Sequence, residues 1–257
     1  MNDFKVVIPA RYGSSRLPGK PLADIGGAPM VVHVARRALQ SGAGEVVIAT
    51  DDERVRSAVA AAGCDVQMTR QDHASGSDRV MEVAQRRGWA GDAVVVNVQG
   101  DEPLIPPAVI AQVAGMLHVD PLVAVATLCE PLDDRVAVFD PNVVKVVAGS
   151  DGFARYFSRA PIPYARDAFA DDARAGALPA GDLWRRHVGI YGYRLAALEQ
   201  FVSLPVGALE AAESLEQLRL VEAGIGIRIA QAAAPVPGGV DTPDDLERVR
   251  RVVADGR

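Results

Sequence analysis

Residues 8–22 read Ile-Pro-Ala-Arg-Tyr-Gly-Ser-Ser-Arg-Leu-Pro-Gly-Lys-Pro-Leu, and this stretch has the composition of a polyphosphate cradle. Gly13, Ser14, Ser15 and Gly19 let backbone N–H groups approach an anion closely, while Arg11, Arg16 and Lys20 carry the compensating charge. Lysine otherwise occurs only at Lys5 and Lys145, so its placement in this loop is selective. The loop is not a Walker A motif: five residues separate Gly13 from Gly19, and Pro21 stands where that motif has Ser or Thr. A second group, Gln99-Gly100-Asp101-Glu102-Pro103, places two carboxylates between a glycine and a proline. Such a pair suits Mg²⁺, which takes one or two carboxylates and leaves its other positions to water and phosphate oxygens. A third group runs from Gly238 to Leu246. There Asp241 or Thr242 either caps the helix opening at Pro243 or, in the case of Asp241, joins Asp101 on a metal ion. The stretch Asp72-His73-Ala74-Ser75-Gly76-Ser77-Asp78-Arg79 either reads a base or ribose with its hydroxyls or caps a helix. His33 sits in an apolar helical pattern, His73 and His187 are isolated, and no Ser-His-Asp order appears.

These groups need a scaffold that brings distant loops to one edge. The first half alternates apolar strands (residues 5–10, 45–50, 65–68, 93–97 and 123–128) with helical stretches (29–40, 53–62, 77–87 and 107–119). That rhythm predicts an α/β fold, a doubly wound and mostly parallel sheet with helices on both faces. In such sheets ligands bind beyond the carboxyl ends of the strands, where strand order reverses. The phosphate-type loop, Asp51-Asp52, residues 70–79 and the Gln99 to Pro103 group each follow one of the first four strands. Beyond residue 130 the spacing predicts strands at 143–147, 154–158, 188–193 and 225–231, and helices at 209–222 and 242–253. The helix at 209–222 would carry Glu213, Glu216 and Gln217 on a solvated face. Residues 161–183, rich in Ala, Asp, Gly and Pro, read as an excursion for substrate or dimer contact. We therefore expect one domain over 1–257 with an inserted region at about 130–193.

Composition narrows the partners. The chain has 257 residues, 49% of them hydrophobic, with 33 acidic against 27 basic side chains, which disfavours nucleic acid. No apolar run approaches the roughly 18 residues of a membrane span, and no charged leader precedes an apolar segment, so a soluble cytoplasmic protein is expected. Cys64 and Cys129 stand singly, which points to neither disulfide nor zinc.

The loop at 8–22, the Gln99 to Pro103 group, Arg186-His-Val-Gly-Ile-Tyr-Gly-Tyr193, Leu215-Glu-Gln-Leu-Arg219 and Gly239-Val-Asp-Thr-Pro243 occur in an order that resembles the 3-deoxy-manno-octulosonate cytidylyltransferases. These are the CMP-Kdo synthetases of Gram-negative bacteria. The resemblance spans nearly the whole chain. It implies a nucleotidyltransferase, Rossmann-like fold and transfer of a cytidylyl group from CTP to the sugar acid Kdo, with release of pyrophosphate, for lipopolysaccharide biosynthesis. It further implies a Mg²⁺ cofactor and a homodimer joined through the inserted region. By the same resemblance Arg11, Ser14, Arg16 and Lys20 bind the triphosphate, and Gln99 with Ser75, Gly76 and Ser77 contacts cytidine. Asp101 and Asp241 are similar to the family's metal ligands, and with Arg11, Arg16 and Lys20 they form the catalytic set. Arg159, His187, Tyr191, Glu216 and Gln217 look like the sugar-acid side of the pocket. Where the family often has Thr-Glu-Arg, this chain has Ser77-Asp78-Arg79, which keeps a hydroxyl, an acid and a cation. Sialic acid cytidylyltransferases typically carry Gly-Ser-Lys-Gly-Leu-Pro-Gly-Lys-Asn in the first loop. Ser15, Arg16 and Pro21 depart from that pattern and favour Kdo.

Overall fold

The computed structural model describes residues 3–13, 17–170 and 176–256. Ser14, Ser15 and Arg16 of the first loop lie outside the described residues. From the N-terminus run β1 (Phe4–Pro9), the short strands β2 (Asp24–Ile25) and β3 (Ala28–Pro29), α1 (Met30–Gln40), β4 (Glu45–Thr50), α2 (Glu53–Ala61) and β5 (Val66–Met68). There follow α3 (Gly76–Arg87), β6 (Val94–Asn97), α4 (Pro107–Val119), β7 (Val125–Pro131), α5 (Arg135–Phe139), β8 (Lys145–Ala148) and β9 (Ala154–Ser158). The chain then forms β10 (Arg185–Arg194), α6 (Leu195–Ser203), α7 (Ala208–Glu213), α8 (Leu218–Glu222), β11 (Ile227–Gln231) and α9 (Pro243–Asp255).

The main sheet has the order β11-β7-β10-β6-β1-β4-β5. Strand β1 is parallel to both β4 and β6, and parallel pairs also join β4 to β5 and β7 to β11. Only β10, wedged between β6 and β7, runs antiparallel to its neighbours in this row, and β8 with β9 extends from it as an antiparallel pair. The fold is thus the mostly parallel α/β sheet that the alternation predicts. Between β1 and β6 the order reverses, which opens a crevice beyond their carboxyl ends.

Strand residues alternate between two apolar layers, as a sheet covered on both faces requires. Val6, Ile8, Val94 and Val96 pack with α1, α2 and α4, while Val7 and Val95 pack with α3 and α6. Burying each such side chain contributes on the order of 2 kcal/mol. Helix starts are fixed locally. Asp52 accepts from the Arg54 N–H at the start of α2, and Ser75 and Thr242 open α3 and α9 with reciprocal bonds to Asp78 and Asp245.

Two expectations change. Residues 209–222 are not one helix: α7 ends at Ser214, whose φ of 52° is left-handed, and α8 starts at Leu218. Leu215 and Leu218 both enter the core, and the intervening Glu216 and Gln217 turn inward instead of forming a solvated face. Helix α6 and the β2–β3 pair are elements the spacing alone passes over, although Leu195, Leu198 and Phe201 of α6 are all buried. The excursion at 161–183 forms no strand among its described residues, and Phe169 and Trp184 gather there with Val138. Among the described residues no helix is long and apolar enough to cross a membrane.

Candidate functional site

Three loops converge at the crevice between β1 and β6. The first leaves β1 and folds back through Gly19, whose left-handed φ of 69° lets its N–H reach the Tyr12 carbonyl. A Cβ there would stand 3.1 Å from the Tyr12 hydroxyl. A single 3-10 turn, Lys20–Leu22, then pins Pro21 in the interior and carries Lys20 to the sheet edge. The second loop follows β6. Gly100 lies so close to β1 that a Cβ would approach the Pro9 carbonyl to 2.6 Å, and this contact fixes Asp101 beside the first loop. The third loop precedes α9. Val240 is fully buried with Ile25, Met30, Leu246 and Val249, and its N–H donates to the Asp101 carbonyl at 2.8 Å.

The outcome is a charge triad. Lys20 Nζ donates to Asp101 Oδ2 at 2.6 Å and to Asp241 Oδ1 at 3.1 Å, although the three residues are up to 221 positions apart. Burial works against the ammonium, yet Asp101 and Asp241 lift Lys20 above its ordinary value, so it is charged. Thr242, not Asp241, supplies the cap of α9, which leaves the Asp241 carboxylate directed at Lys20. These residues line a cleft of about 370 Å³ together with Arg11, Gly13, Gly76, Arg79, Gln99 and Gly100. Arg11 is exposed, and its guanidinium donates to the His73 carbonyl at 3.4 Å. Next to Asp101, the Glu102 carboxyl is pushed up to about 8 by burial and by the Asp101 charge, and its Oε2 has no partner.

Beyond Gln99, which lines both, lies a smaller pocket of about 220 Å³. Its walls are Ser77 from α3, Asn97 from β6, His187, Gly189, Tyr191 and Tyr193 from β10, and Glu216 with Gln217 from the turn between α7 and α8. A register shift between Val188 and Tyr191 bulges β10 against β7, and His187, Tyr191 and Tyr193 face the pocket together. Tyr191 Oη and His187 Nε2 are 2.9 Å apart. In this pocket burial, not charge pairing, dominates the ionisable groups. Burial, with Arg186 nearby, lowers His187 to about 3, and burial raises the Tyr191 and Tyr193 hydroxyls above their usual range. Burial also raises the Glu216 carboxyl, with the Ser75 and Ser77 hydroxyls opposing. Three buried polar atoms of the lining residues, Asn97 Oδ1, Glu216 Oε1 and Gln217 Nε2, have no hydrogen-bond partner. Leaving such groups unpaired costs about 1–3 kcal/mol each, which a polar ligand would recover.

The structure brings Arg11, Lys20, Gly76, Gln99, Asp101 and Asp241 to the cleft and Ser77, Gln99, His187, Tyr191, Glu216 and Gln217 to the pocket. Ser75 is the cap of α3, bonded to Asp78. Arg159 does not line the pocket: Nε donates to the Glu213 carbonyl at 2.7 Å and Nη1 to the Pro141 carbonyl at 2.9 Å. Sequence reading takes in Arg79 only as the end of the Asp72–Arg79 stretch, without a role of its own, and misses Asn97. Arg79 is fully buried, paired with Asp51 at 2.9 Å, and its Nε is unpartnered in the cleft wall. Its position two residues after Ser77, and that of Asn97 two before Gln99, were the available signals. Lys145 stays away from the chemistry and donates to the carbonyls of Asp140, Val143 and Arg159 at 2.8, 2.5 and 2.6 Å. A larger cavity, about 630 Å³, lies on the excursion around Arg135 and Trp184 and shares no lining residue with either site.

Comparison with known proteins finds relatives over nearly the whole chain. The family model described as "Cytidylyltransferase" matches residues 5–229. A 3-deoxy-manno-octulosonate cytidylyltransferase from Pseudomonas syringae pv. syringae (strain B728a) is 57% identical over 97% of this chain and 98% of its own length. One of the same name from Stenotrophomonas maltophilia (strain K279a) is 53% identical over 98% of both chains. The solved structure of a CMP:2-keto-3-deoxy-manno-octonic acid synthetase complexed with CTP matches with a TM-score of 0.88 at 47% identity, covering 100% of both chains. With identity at this level over nearly the whole chain, the chain belongs to the 3-deoxy-manno-octulosonate cytidylyltransferase family.

Proposed function

We propose that this protein transfers the cytidylyl group of CTP to 3-deoxy-manno-octulosonate, giving CMP-Kdo and pyrophosphate for lipopolysaccharide synthesis. The observation that carries the reading is the abutment of two unlike sites at Gln99, one built on paired charges and one on unpartnered buried polar groups. The first suits a triphosphate, the second a hydroxyl-rich acid. The relatives' name and the CTP complex of the solved relative support both assignments.

The reaction is an in-line attack of the sugar's anomeric hydroxyl on the α-phosphorus of CTP, and positioning with charge stabilisation supplies most of its catalysis. Lys20 and Arg11, with Arg16 and Ser14 of the same loop, hold the triphosphate and offset charge building on the leaving pyrophosphate. Gly76 and Gln99 hold the cytidine, with Ser75 keeping the start of α3 in place, while Ser77, expected on the cytidine, faces the sugar-acid pocket beside Glu216. His187, Tyr191, Glu216 and Gln217 bind the sugar acid, and Arg159 supports them by tying residues 213 and 214 to the β9 end. Asp101 and Asp241 fit Mg²⁺: both are oxygen donors already converging on one cation, the Lys20 ammonium. When bound there, Mg²⁺ would supply positive charge beside the α-phosphate.

We read residues 130–193 as the substrate and dimerisation region of a single domain, and the protein as a cytoplasmic homodimer. The exposed apolar side chains of Val136, Tyr164 and Leu183 support that contact. Sedimentation of the purified chain checks the dimer. Pyrophosphate release from CTP, UTP or GTP with Kdo, 8-amino-Kdo or sialic acid, with and without Mg²⁺, tests the reaction. Absence of release from CTP with Kdo in Mg²⁺ sinks it.

A further inference from the structure

Thr127 lies on β7 directly opposite Tyr191, fully buried, and none of the sequence motifs includes it. Between Val188, which faces Leu128, and Tyr191, which faces Thr127, strand β10 accommodates Gly189 and Ile190 as a bulge. The Thr127 hydroxyl sits inside that bulge, 2.8 Å from the Ile190 carbonyl and 3.2 Å from the Val188 carbonyl. It also lies 3.2 Å from His187 Nε2, the nitrogen that meets Tyr191 Oη at 2.9 Å.

The Thr127 and Tyr191 hydroxyls are hydrogen-bonded to each other as well. A hydroxyl has one proton, and a carbonyl can only accept, so the Thr127 proton goes to the Ile190 carbonyl. Toward His187 Nε2 the Thr127 oxygen can then only accept, which favours the ring form carrying its proton on Nε2. An Nε2–H also donates to Tyr191 Oη, so the Tyr191 O–H is not spent on the imidazole. In the other ring form the Tyr191 proton would be consumed on the Nε2 lone pair, and the Thr127 oxygen would face that lone pair unpaired.

We infer that Thr127 is a positioning residue that sets the His187 ring proton on Nε2 and thereby keeps the Tyr191 proton off the imidazole, so that the Tyr191 hydroxyl turns from Thr127 to donate to the carboxylate of the bound sugar acid. This rests on the reading of the pocket as the sugar-acid site. It assigns the bulge a purpose: the side chain holding it also orients the two groups it presents.

The test combines ring-nitrogen NMR of the histidine side chains in the full-length protein with steady-state kinetics of Thr127→Val, Thr127→Ser and His187→Ala. The parent should show His187 protonated on Nε2; protonation on Nδ1 in the parent overturns the inference without any variant. Thr127→Val should shift the ring toward the Nδ1 form and raise the KM for Kdo roughly tenfold with the KM for CTP unchanged. Thr127→Ser, which keeps the hydroxyl, should restore both. An unchanged ring form in Thr127→Val, or a failure of Thr127→Ser to restore the KM, overturns the role of the hydroxyl. A normal KM for Kdo in His187→Ala instead overturns the assignment of the pocket, and the NMR result still decides Thr127.

Discussion

The cleft around Lys20 is assembled from loops and keeps its charges by pairing them across the fold. The pocket around Tyr191 is assembled from the bulged strand β10 and the turn between α7 and α8, and it buries its polar groups, several of them without a hydrogen-bond partner. On the reading proposed above both serve one substrate pair, yet they solve opposite problems. A triphosphate brings several charges, so the cleft needs mobile counter-charges and small residues that let backbone approach. A sugar acid brings many hydroxyls, so its pocket needs donors and acceptors left unspent, such as Asn97 Oδ1 and Gln217 Nε2. Charge is held ready by compensation, whereas hydrogen-bonding capacity is held ready by leaving it unsatisfied.

The largest expected effect lies in the cleft. Lys20→Ala should lower kcat for pyrophosphate release by about 10²–10³, the usual loss for one donor aimed at developing charge, with the circular dichroism of the fold retained. A kcat near that of the parent would remove Lys20 from the catalytic set and dissolve the contrast. Next comes Glu102, the buried and unpartnered carboxyl beside Asp101, which breaks the pairing rule of the cleft. Folded Glu102 keeps its proton up to about 8, whereas an unfolded glutamate releases it near 4.5, so between those values the folded state holds more protons. Stability therefore falls as pH rises through this window. Glu102→Gln should escape that loss, its advantage over the parent in metal-free denaturant titrations growing toward on the order of 3 kcal/mol near pH 8. A flat difference between pH 5 and 8 would show that Glu102 ionises normally.

In the pocket the signature is reversed. Gln217→Ala removes a group whose Nε2 has no protein partner, so stability should hold while the KM for Kdo rises about tenfold and that for CTP stays fixed. Loss of stability without a change in either KM would make Gln217 structural. The smallest effect separates two neighbours in the third loop. Thr242→Ala should lose about 1 kcal/mol in denaturant titrations with activity retained, because Thr242 is the α9 cap. Asp241→Asn should keep that stability and lose activity; the opposite pattern would return Asp241 to a capping role.

Much of the cleft was legible in the chain. Glycine, proline and clustered charge leave local marks, so the first loop, Gln99 to Asp101 and Asp241 stand out before any folding, and the strands that deliver them alternate clearly with helices. The pocket left fewer marks. Glu216 and Gln217 sit within a stretch of helical spacing, and only the left-handed Ser214, with both Leu215 and Leu218 drawn into the core, turns them inward. Arg159 shows the converse: a cation of the right type is spent on carbonyls at 141 and 213.

By itself the sequence determined the alternation of strands and helices, the loops that carry charge, and the order of motifs that places the chain in its family, because these depend on residues near one another along the backbone. Only the tertiary structure decided which charges pair, where β10 bulges and which polar atoms remain unpartnered. Those outcomes depend on burial and on contacts such as Lys20 with Asp241, 221 residues apart, which no local spacing encodes.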